Sequence, residues 1–358
     1  MTPIRRALAG AAASASIGAP ALAEVQIFED AVFDTSRNRL IPYRVYYDDQ
    51  AGGPLPVILV SHGGAGSLTG YQRAEHLGST YAAHSYLAIH IGHLASGPGA
   101  SQLTDRPADV TFVLDRLTDG FFPLPLDAGA TPDLERIGHI GHSYGAYTAH
   151  AVAGATFTHG TYRDERIDAI AGLSPQGDSQ FGAFDFGVEE NTWRPITIPV
   201  YTLIGELELD ANALGAFRGE DWRLQPFQRS TITTPKYTTI LPGAGHSTLW
   251  SSGTPEEDAY IAQSTRVFFD IHLRGEPIPP REIGAQLAYP GLEHRVKSAD
   301  VDGSGVIDVD DLDLYLGRLD RGADSAEVSG DRPVRTPDSF DAATLFEAIA
   351  ASRPGPPA

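Results

Sequence analysis

A serine stands between two glycines in the segment GHSYG, where it is Ser143. This G-x-S-x-G pattern is typical of a nucleophile elbow, a sharp turn that joins a buried strand to a helix and exposes the serine hydroxyl. The setting agrees, because RIGHIG precedes the turn as an apolar strand and YGAYTAHAVAGA follows it as a small-residue helix. The pattern predicts a nucleophilic serine; the alternative is a tight turn with an incidental serine.

A serine hydroxyl needs a base to activate it, and the base needs an acid to orient it. In this strand-turn-helix setting the chain order is serine, then acid, then histidine. His246, in LPGAGHSTLW, follows the last predicted strand, and its glycines let the loop swing the imidazole over the sheet edge. Glu206, Glu208 and Asp210 compete for the acid in the segment GELELD; we favour Glu208, with Asp210 second.

Acyl transfer also needs two backbone N–H groups that bind the developing oxyanion. One is expected from Tyr144, which follows the nucleophile, and the other from Gly64 in the loop after VILVSH. His142 is expected to line the site or to brace the turn. A Phe- and Gly-rich stretch that contains Trp193 is expected either to line the acyl pocket or to form a surface excursion.

Two His-Ile-Gly-His segments, at positions 90–93 and 139–142, raise the alternative of a metal site. On a strand, residues i and i+3 point to opposite faces, so neither pair forms a compact two-ligand site. We therefore expect no metal in catalysis.

Strand-like and helix-like segments alternate from about residue 40 to 274. Repeated strand-helix alternation predicts a mostly parallel sheet with helices on both faces. The predicted strands include 40–47, 56–62, 86–92, 136–141, 198–206 and 236–244, and the predicted helices include 71–83, 106–117 and 258–273.

Composition bounds the function further. The 358-residue chain has no cysteine, which excludes thiolate catalysis, thiolate zinc sites and disulfides. Its net charge of −20 argues against nucleic acid as a partner, because phosphates would be repelled.

Residues 1–23 have two arginines, a small apolar stretch and an Ala-Leu-Ala site, which predicts an export signal and a periplasmic or extracellular protein. No other stretch is long and apolar enough to predict a transmembrane segment.

The C-terminal segment DVDGSGVIDVDD has the spacing of a calcium loop. Oxygen ligands are expected at positions 1, 3, 5, 7 and 12 of this loop, which are Asp300, Asp302, Ser304, Val306 and Asp311. The loop resembles an EF-hand of the dockerin kind, which predicts a structural Ca²⁺ and raises the expectation of a protein partner; the alternative is an acidic surface loop.

Several segments together resemble the α/β-hydrolases of the platelet-activating-factor acetylhydrolase and predicted dienelactone hydrolase type. They are RLIPYRVYYD, VILVSHGGAGS, RPADVTFVLDRL, GHSYGAYTAHAVAGA, RIDAIAGLSPQG, WRPITIPVYTLIGELELD and the region around His246. The resemblance implies an α/β-hydrolase fold and a serine esterase. It also implies an acid three residues after Gly205, at Glu208, where such relatives usually have aspartate.

We thus expect a signal in residues 1–23, a hydrolase domain in 24–280, a proline-rich linker or packing strap in 281–297, and a small calcium-loop module in 298–358. The expected function is hydrolysis of a short-chain or lipid-type carboxylic ester through an acyl-serine. The alternative is a non-catalytic binding or scaffold protein of the same fold, attached through its calcium module.

Overall fold

The structure is a computed structural model that describes residues 24–64, 66–126, 129–184, 192–209, 222–231, 233–278, 282–285 and 291–298. Its strands are β1 (Val25–Asp34), β2 (Arg39–Asp48), β3 (Gly53–Ser61), β4 (Leu87–Ile91), β5 (Ala130–His142), β6 (Thr156–Phe157), β7 (Gly160–Thr161), β8 (Ala169–Leu173), β9 (Val200–Gly205), β10 (Lys236–Leu241) and β11 (Glu293–Lys297). Its α-helices are α1 (Glu75–Ala83), α2 (Gln102–Thr118), α3 (Tyr144–Val152), α4 (Gln225–Gln228), α5 (Pro255–Arg274) and α6 (Glu282–Ala285). Short single-turn helices lie at Gly70–Gln72, Glu206–Glu208, Trp222–Leu224 and Thr248–Ser252.

Nine strands form one sheet in the order β1-β2-β4-β3-β5-β8-β9-β10-β11. The six strands from β4 to β10 in this order pair in parallel. At one end β1 and β2 form an antiparallel hairpin, and at the other end β11 pairs antiparallel with β10. The predicted mostly parallel sheet is confirmed.

The sheet separates two hydrophobic cores, because successive side chains of a strand point to opposite faces. In β3, Val57 and Leu59 pack in one core with α2 and α3, whereas Ile58 and Val60 pack in the other with α1 and α5. Burial on both faces explains why β3 contains the continuous apolar run VILV instead of an alternating pattern.

Helix α2 begins four residues before the predicted start because Ser101 caps it, accepting a hydrogen bond from the Leu103 N–H. Pro107 lies inside this helix and cannot donate to the carbonyl one turn earlier. The Tyr147 hydroxyl donates to that Leu103 carbonyl at 2.6 Å instead. This contact joins α2 to α3, the helix that follows the predicted nucleophile.

The sheet continues into the segment for which composition predicts a linker or strap. In β11, the ammonium of Lys297 donates to the carbonyls of Gln228 and Ser230 at the end of α4, at 2.8 and 2.6 Å. The end of the predicted linker is therefore part of the sheet edge. Within the described ranges, no helix is both long and apolar enough to cross a membrane.

Candidate active site

Four loops that carry predicted site residues meet at one edge of the sheet. The parallel strands β3, β5, β9 and β10 end there, at Ser61, His142, Gly205 and Leu241. Ligand sites of open parallel sheets form outside the carboxyl ends of the strands. The topology thus brings Gly64, Ser143, Glu208 and His246 to the same edge.

Ser143 occupies a strained turn between β5 and α3, with φ of 54° and ψ of −117°. Non-glycine residues with positive φ are uncommon and cluster at functional sites. The turn requires its two glycines, since a Cβ on Gly145 would overlap the Ser61 carbonyl oxygen and one on Gly141 would overlap the Gly145 carbonyl. The N–H of Ser143 donates to the Leu173 carbonyl at 2.9 Å, which ties the turn to β8.

Glu208 and His246 form a direct pair. The Nδ1 atom of His246 lies 2.7 Å from Oε1 of Glu208, a distance typical of a charge-assisted hydrogen bond. An Nδ1–H that donates to the carboxylate leaves Nε2 free to accept a proton. The carboxylate is buried, whereas the side chain of His246 is 39% exposed, so the imidazole faces the open edge.

The Glu208 carboxylate has three further partners. Ser174 Oγ–H and the Gly205 N–H donate to Oε2 at 2.6 and 3.1 Å, and the Arg223 guanidinium lies 3.1 Å from Oε1. Burial by itself would raise the pKa of Glu208, but the His246 bond, the Arg223 charge and the Ser174 bond outweigh it and lower the pKa to about 2. Glu208 is therefore ionised at neutral pH.

His142 lies between the nucleophile turn and the histidine loop. Its Nε2–H donates to the His246 carbonyl at 2.8 Å, and its ring stacks on that of Trp250 with 5.5 Å between the ring centres. Burial lowers its pKa to about 3, so it is neutral. These contacts hold the loop of His246 next to the turn of Ser143, and a role of His142 in lining the substrate site stays a prediction.

The loop after β3 lies directly against the nucleophile. A Cβ on Gly63 would come within 3.1 Å of the Ser143 Cβ, and Gly64 has a φ of 71°. Within the described part of the chain, neither the Gly64 N–H nor the Tyr144 N–H has a protein acceptor. Among the described residues both groups thus lack a competing acceptor, as the predicted oxyanion donors should.

A small cavity of about 10 Å³ lies beside the nucleophile, with mostly aromatic walls. Gln176 forms part of its lining and donates to Ser143 Oγ at 3.4 Å. Gln176 Oε1 and His150 Nε2 have no hydrogen-bond partner among the described residues. Trp193 is buried in the lining, and its contact with an acyl group stays a prediction; the other lining residues are Tyr147, Phe157, Gln180, Phe181 and Ala183.

The histidines of the repeated His-Ile-Gly-His segments are buried, and two of them share one serine. Ser61 Oγ lies 2.9 Å from His93 Nε2 and 2.8 Å from His139 Nε2. His93 Nδ1 lies 3.0 Å from the Asp109 carboxylate, which also accepts from Arg39. Ser61 is the last residue of β3, so this buried polar network lies where the loop of Gly63 and Gly64 begins.

Sequence reasoning missed the supporting residues Arg106, Gln176, Ser174 and Arg223. Arg106 had a usable signal, since it shares the apolar face of α2 with Val110 and Val113, where an unexplained charge is unusual. Asp210 and the loop residues Asp300, Asp302, Ser304, Val306 and Asp311 lie outside the described residues.

The comparisons with known proteins support the fold. No sequence-family model and no curated protein sequence matches the chain. Among solved structures, the chain is similar to a ferulic acid esterase from Streptomyces cinnamoneus, with a TM-score of 0.54 and 20% sequence identity. The likeness covers 78% of this chain and 98% of that one. The chain has the α/β-hydrolase fold.

Proposed function

We propose that this protein is an exported serine hydrolase of carboxylic esters that works through an acyl-serine intermediate. The bond of 2.7 Å between the buried Glu208 carboxylate and His246 Nδ1, beside the strained turn of Ser143, carries the proposal. A buried acid that orients an exposed imidazole is the arrangement that activates a serine.

In the first half-reaction, Ser143 Oγ attacks the ester carbonyl carbon while His246 Nε2 accepts the hydroxyl proton. The carbonyl oxygen becomes an oxyanion that accepts hydrogen bonds from the N–H groups of Gly64 and Tyr144. Glu208 remains ionised and stabilises the imidazolium. The C–O bond of the ester then breaks, and the alcohol leaves with the proton from His246.

In the second half-reaction, water attacks the acyl-serine while His246 accepts one of its protons. A second oxyanion forms and accepts hydrogen bonds from the same two N–H groups. The C–O bond to Ser143 then breaks and the carboxylic acid is released. The proton returns to Ser143 Oγ, so the enzyme is regenerated without a cofactor in catalysis.

The substrate proposal is a small-molecule ester with a short acyl group, and lipid-type esters are the second class to test. The cavity of about 10 Å³ beside Gln176 holds only about one water, which supports a short acyl group. The similar solved structure is named a ferulic acid esterase, so an ester of an aromatic acid is added to the substrates to be tested.

The test is hydrolysis of p-nitrophenyl acetate, butyrate and octanoate and of methyl ferulate by wild type and Ser143→Ala. We expect ester hydrolysis that Ser143→Ala abolishes, fastest for the shortest acyl chain. Equal rates in the two proteins would refute the proposal, and equal rates at the uncatalysed background would leave the non-catalytic binding function.

We also propose that the C-terminal segment binds Ca²⁺ through its oxygen-rich loop and contacts a protein partner. The order of charged, small-residue and Ala-Leu-Ala segments at residues 1–23 supports export to the periplasm or the exterior. Both proposals rest on sequence patterns.

A further inference from the structure

Arg106 is a fully buried arginine on α2 that the mechanism above does not use. Within the described residues its side chain has no ion-pair partner, and its Nε donates to Gln102 Oε1 at 3.0 Å. Burial lowers the pKa of Arg106 to about 10, which still leaves it charged at neutral pH. A buried charge without an ion-pair partner is costly unless hydrogen bonds satisfy it. The acceptors of the two Nη groups of Arg106 are therefore informative.

Those acceptors are two carbonyls of the loop next to the nucleophile. One Nη atom of Arg106 donates to the His62 carbonyl at 2.7 Å, and the other donates to the Gly64 carbonyl. The guanidinium also lies 4.5 Å from the centre of the Tyr144 ring. One side chain therefore contacts both residues expected to supply the oxyanion N–H groups.

The carbonyl between these two is held by a histidine. His62 Nδ1–H donates to the Gly63 carbonyl at 2.8 Å, and His62 Nε2 accepts from the His93 N–H at 2.9 Å. The second bond assigns the neutral tautomer, because Nε2 must be free to accept. The three successive carbonyls of the loop are thus all fixed by two buried side chains.

Fixed carbonyls set the direction of the N–H groups. In a trans peptide the C=O and N–H of one unit point to opposite sides. The Gly64 N–H shares its peptide unit with the Gly63 carbonyl, and Arg106 fixes the units on both sides. The direction of the Gly64 N–H is therefore determined before any substrate binds.

We propose that Arg106 is a positioning residue that preorganises the oxyanion-binding N–H pair, through hydrogen bonds to the Gly64 loop and contact with the Tyr144 ring. The proposal rests on the proposed function. Preorganised donors stabilise a transition state because they need no reorganisation during the reaction. Lysine cannot replace the planar fork that spans two carbonyls.

The test compares Arg106→Lys and Arg106→Met with a matched control. Arg274 also binds backbone carbonyls and a ring far from the site: it donates to the His84 and Ser85 carbonyls, lies 3.9 Å from the centre of the Tyr86 ring and, unlike Arg106, pairs with a carboxylate, Asp270, at 3.5 Å. Arg274→Lys and Arg274→Met therefore report the cost of losing a carbonyl-binding arginine without touching the N–H pair.

We expect Arg106→Met to lower kcat about 10²-fold and Arg106→Lys to lower it less, with little change in KM. The affinity of an alkyl boronic acid, which forms a tetrahedral adduct on the serine, should fall in parallel with kcat/KM. Affinity for the carboxylate product should not change. The Arg274 variants should lose thermal stability but keep kcat and boronate affinity.

If Arg106→Met does not fold, Arg106→Lys decides the matter with the same readouts. Arg106 variants that lose stability but keep wild-type kcat and boronate affinity would overturn the proposal. That outcome differs from failure of the proposed function, in which the wild type itself hydrolyses no ester or Ser143→Ala retains full activity.

Discussion

Glu208 has more partners than the orientation of one imidazole requires. Besides His246, it is held by Ser174, the Gly205 N–H and Arg223. These contacts explain how a glutamate, with one more rotatable bond than aspartate, is kept in a single position. They also keep the carboxylate ionised, which the proposed mechanism needs at the moment the imidazolium forms.

Glu208→Gln should reduce kcat by about 10³- to 10⁴-fold, because a neutral amide neither stabilises the imidazolium nor fixes its tautomer. Two matched variants identify the acid. Glu206→Gln removes the neighbouring carboxylate, which accepts from the Gly243 N–H at 2.8 Å, and should change kcat only slightly. If Asp210→Asn is inactive while Glu208→Gln keeps its activity, the acid is Asp210 instead.

The lowered pKa of Glu208 also predicts that the unfolding free energy of the protein depends on pH. Its pKa in the fold, about 2, lies below its ordinary value of 4.5, so it stabilises the fold above about pH 4.5 and this contribution is lost as the pH falls towards 2. The difference in unfolding free energy between wild type and Glu208→Gln should shrink over that window, by at most about 1.4 kcal/mol per pH unit. Urea unfolding at pH 5, 4 and 3 measures it, and a constant difference would contradict the prediction.

At the level of elements, the site depends on how closely α3 approaches β3 and β5. The elbow glycines leave room only for hydrogen atoms where the helix meets Ser61. This packing places the start of α3 beside the end of β3 and the loop that follows it.

Gly145→Ala should therefore destabilise the protein by about 3 kcal/mol and reduce activity, since its methyl group would overlap the Ser61 carbonyl. Gly245→Ala is the control, because a Cβ there meets nothing within 4 Å. Thermal unfolding and kcat would be measured for both. Equal stability of the two variants would show that α3 does not pack so closely.

The elements that carry the site were predictable because their signals are local. The elbow is visible in GHSYG after a buried strand, and β9 and β10 are short apolar runs with the candidate acid and base just beyond them. Strand β11 was not predicted, since EHRVK is charged and its pairing with β10 is a long-range contact. Arg106 was not predicted either, because its partners are backbone carbonyls more than 40 positions away.

At the level of the whole molecule, the sheet spans the chain from Val25 to Lys297, with the site at the carboxyl edge of its parallel strands. Antiparallel strands flank the parallel strands at both ends of the sheet. The predicted calcium loop begins at Asp300, three residues after β11 ends, so in sequence the proposed module directly follows the last strand of the sheet.

We expect Ca²⁺ to bind the full chain with one site and Asp302→Ala to abolish that binding. A ligand that binds only the folded state raises its stability, so EDTA should lower the melting temperature of the C-terminal segment. Titration calorimetry with Ca²⁺ and melts with and without EDTA measure both effects. Wild-type calcium affinity in Asp302→Ala would contradict the loop assignment.

Reaction with a fluorophosphonate followed by peptide mass spectrometry tests the central claim most directly. We predict one phosphonyl group per chain, located on Ser143, with loss of ester hydrolysis in proportion to labelling. A label on another residue, or full activity after Ser143 is labelled, would contradict the account.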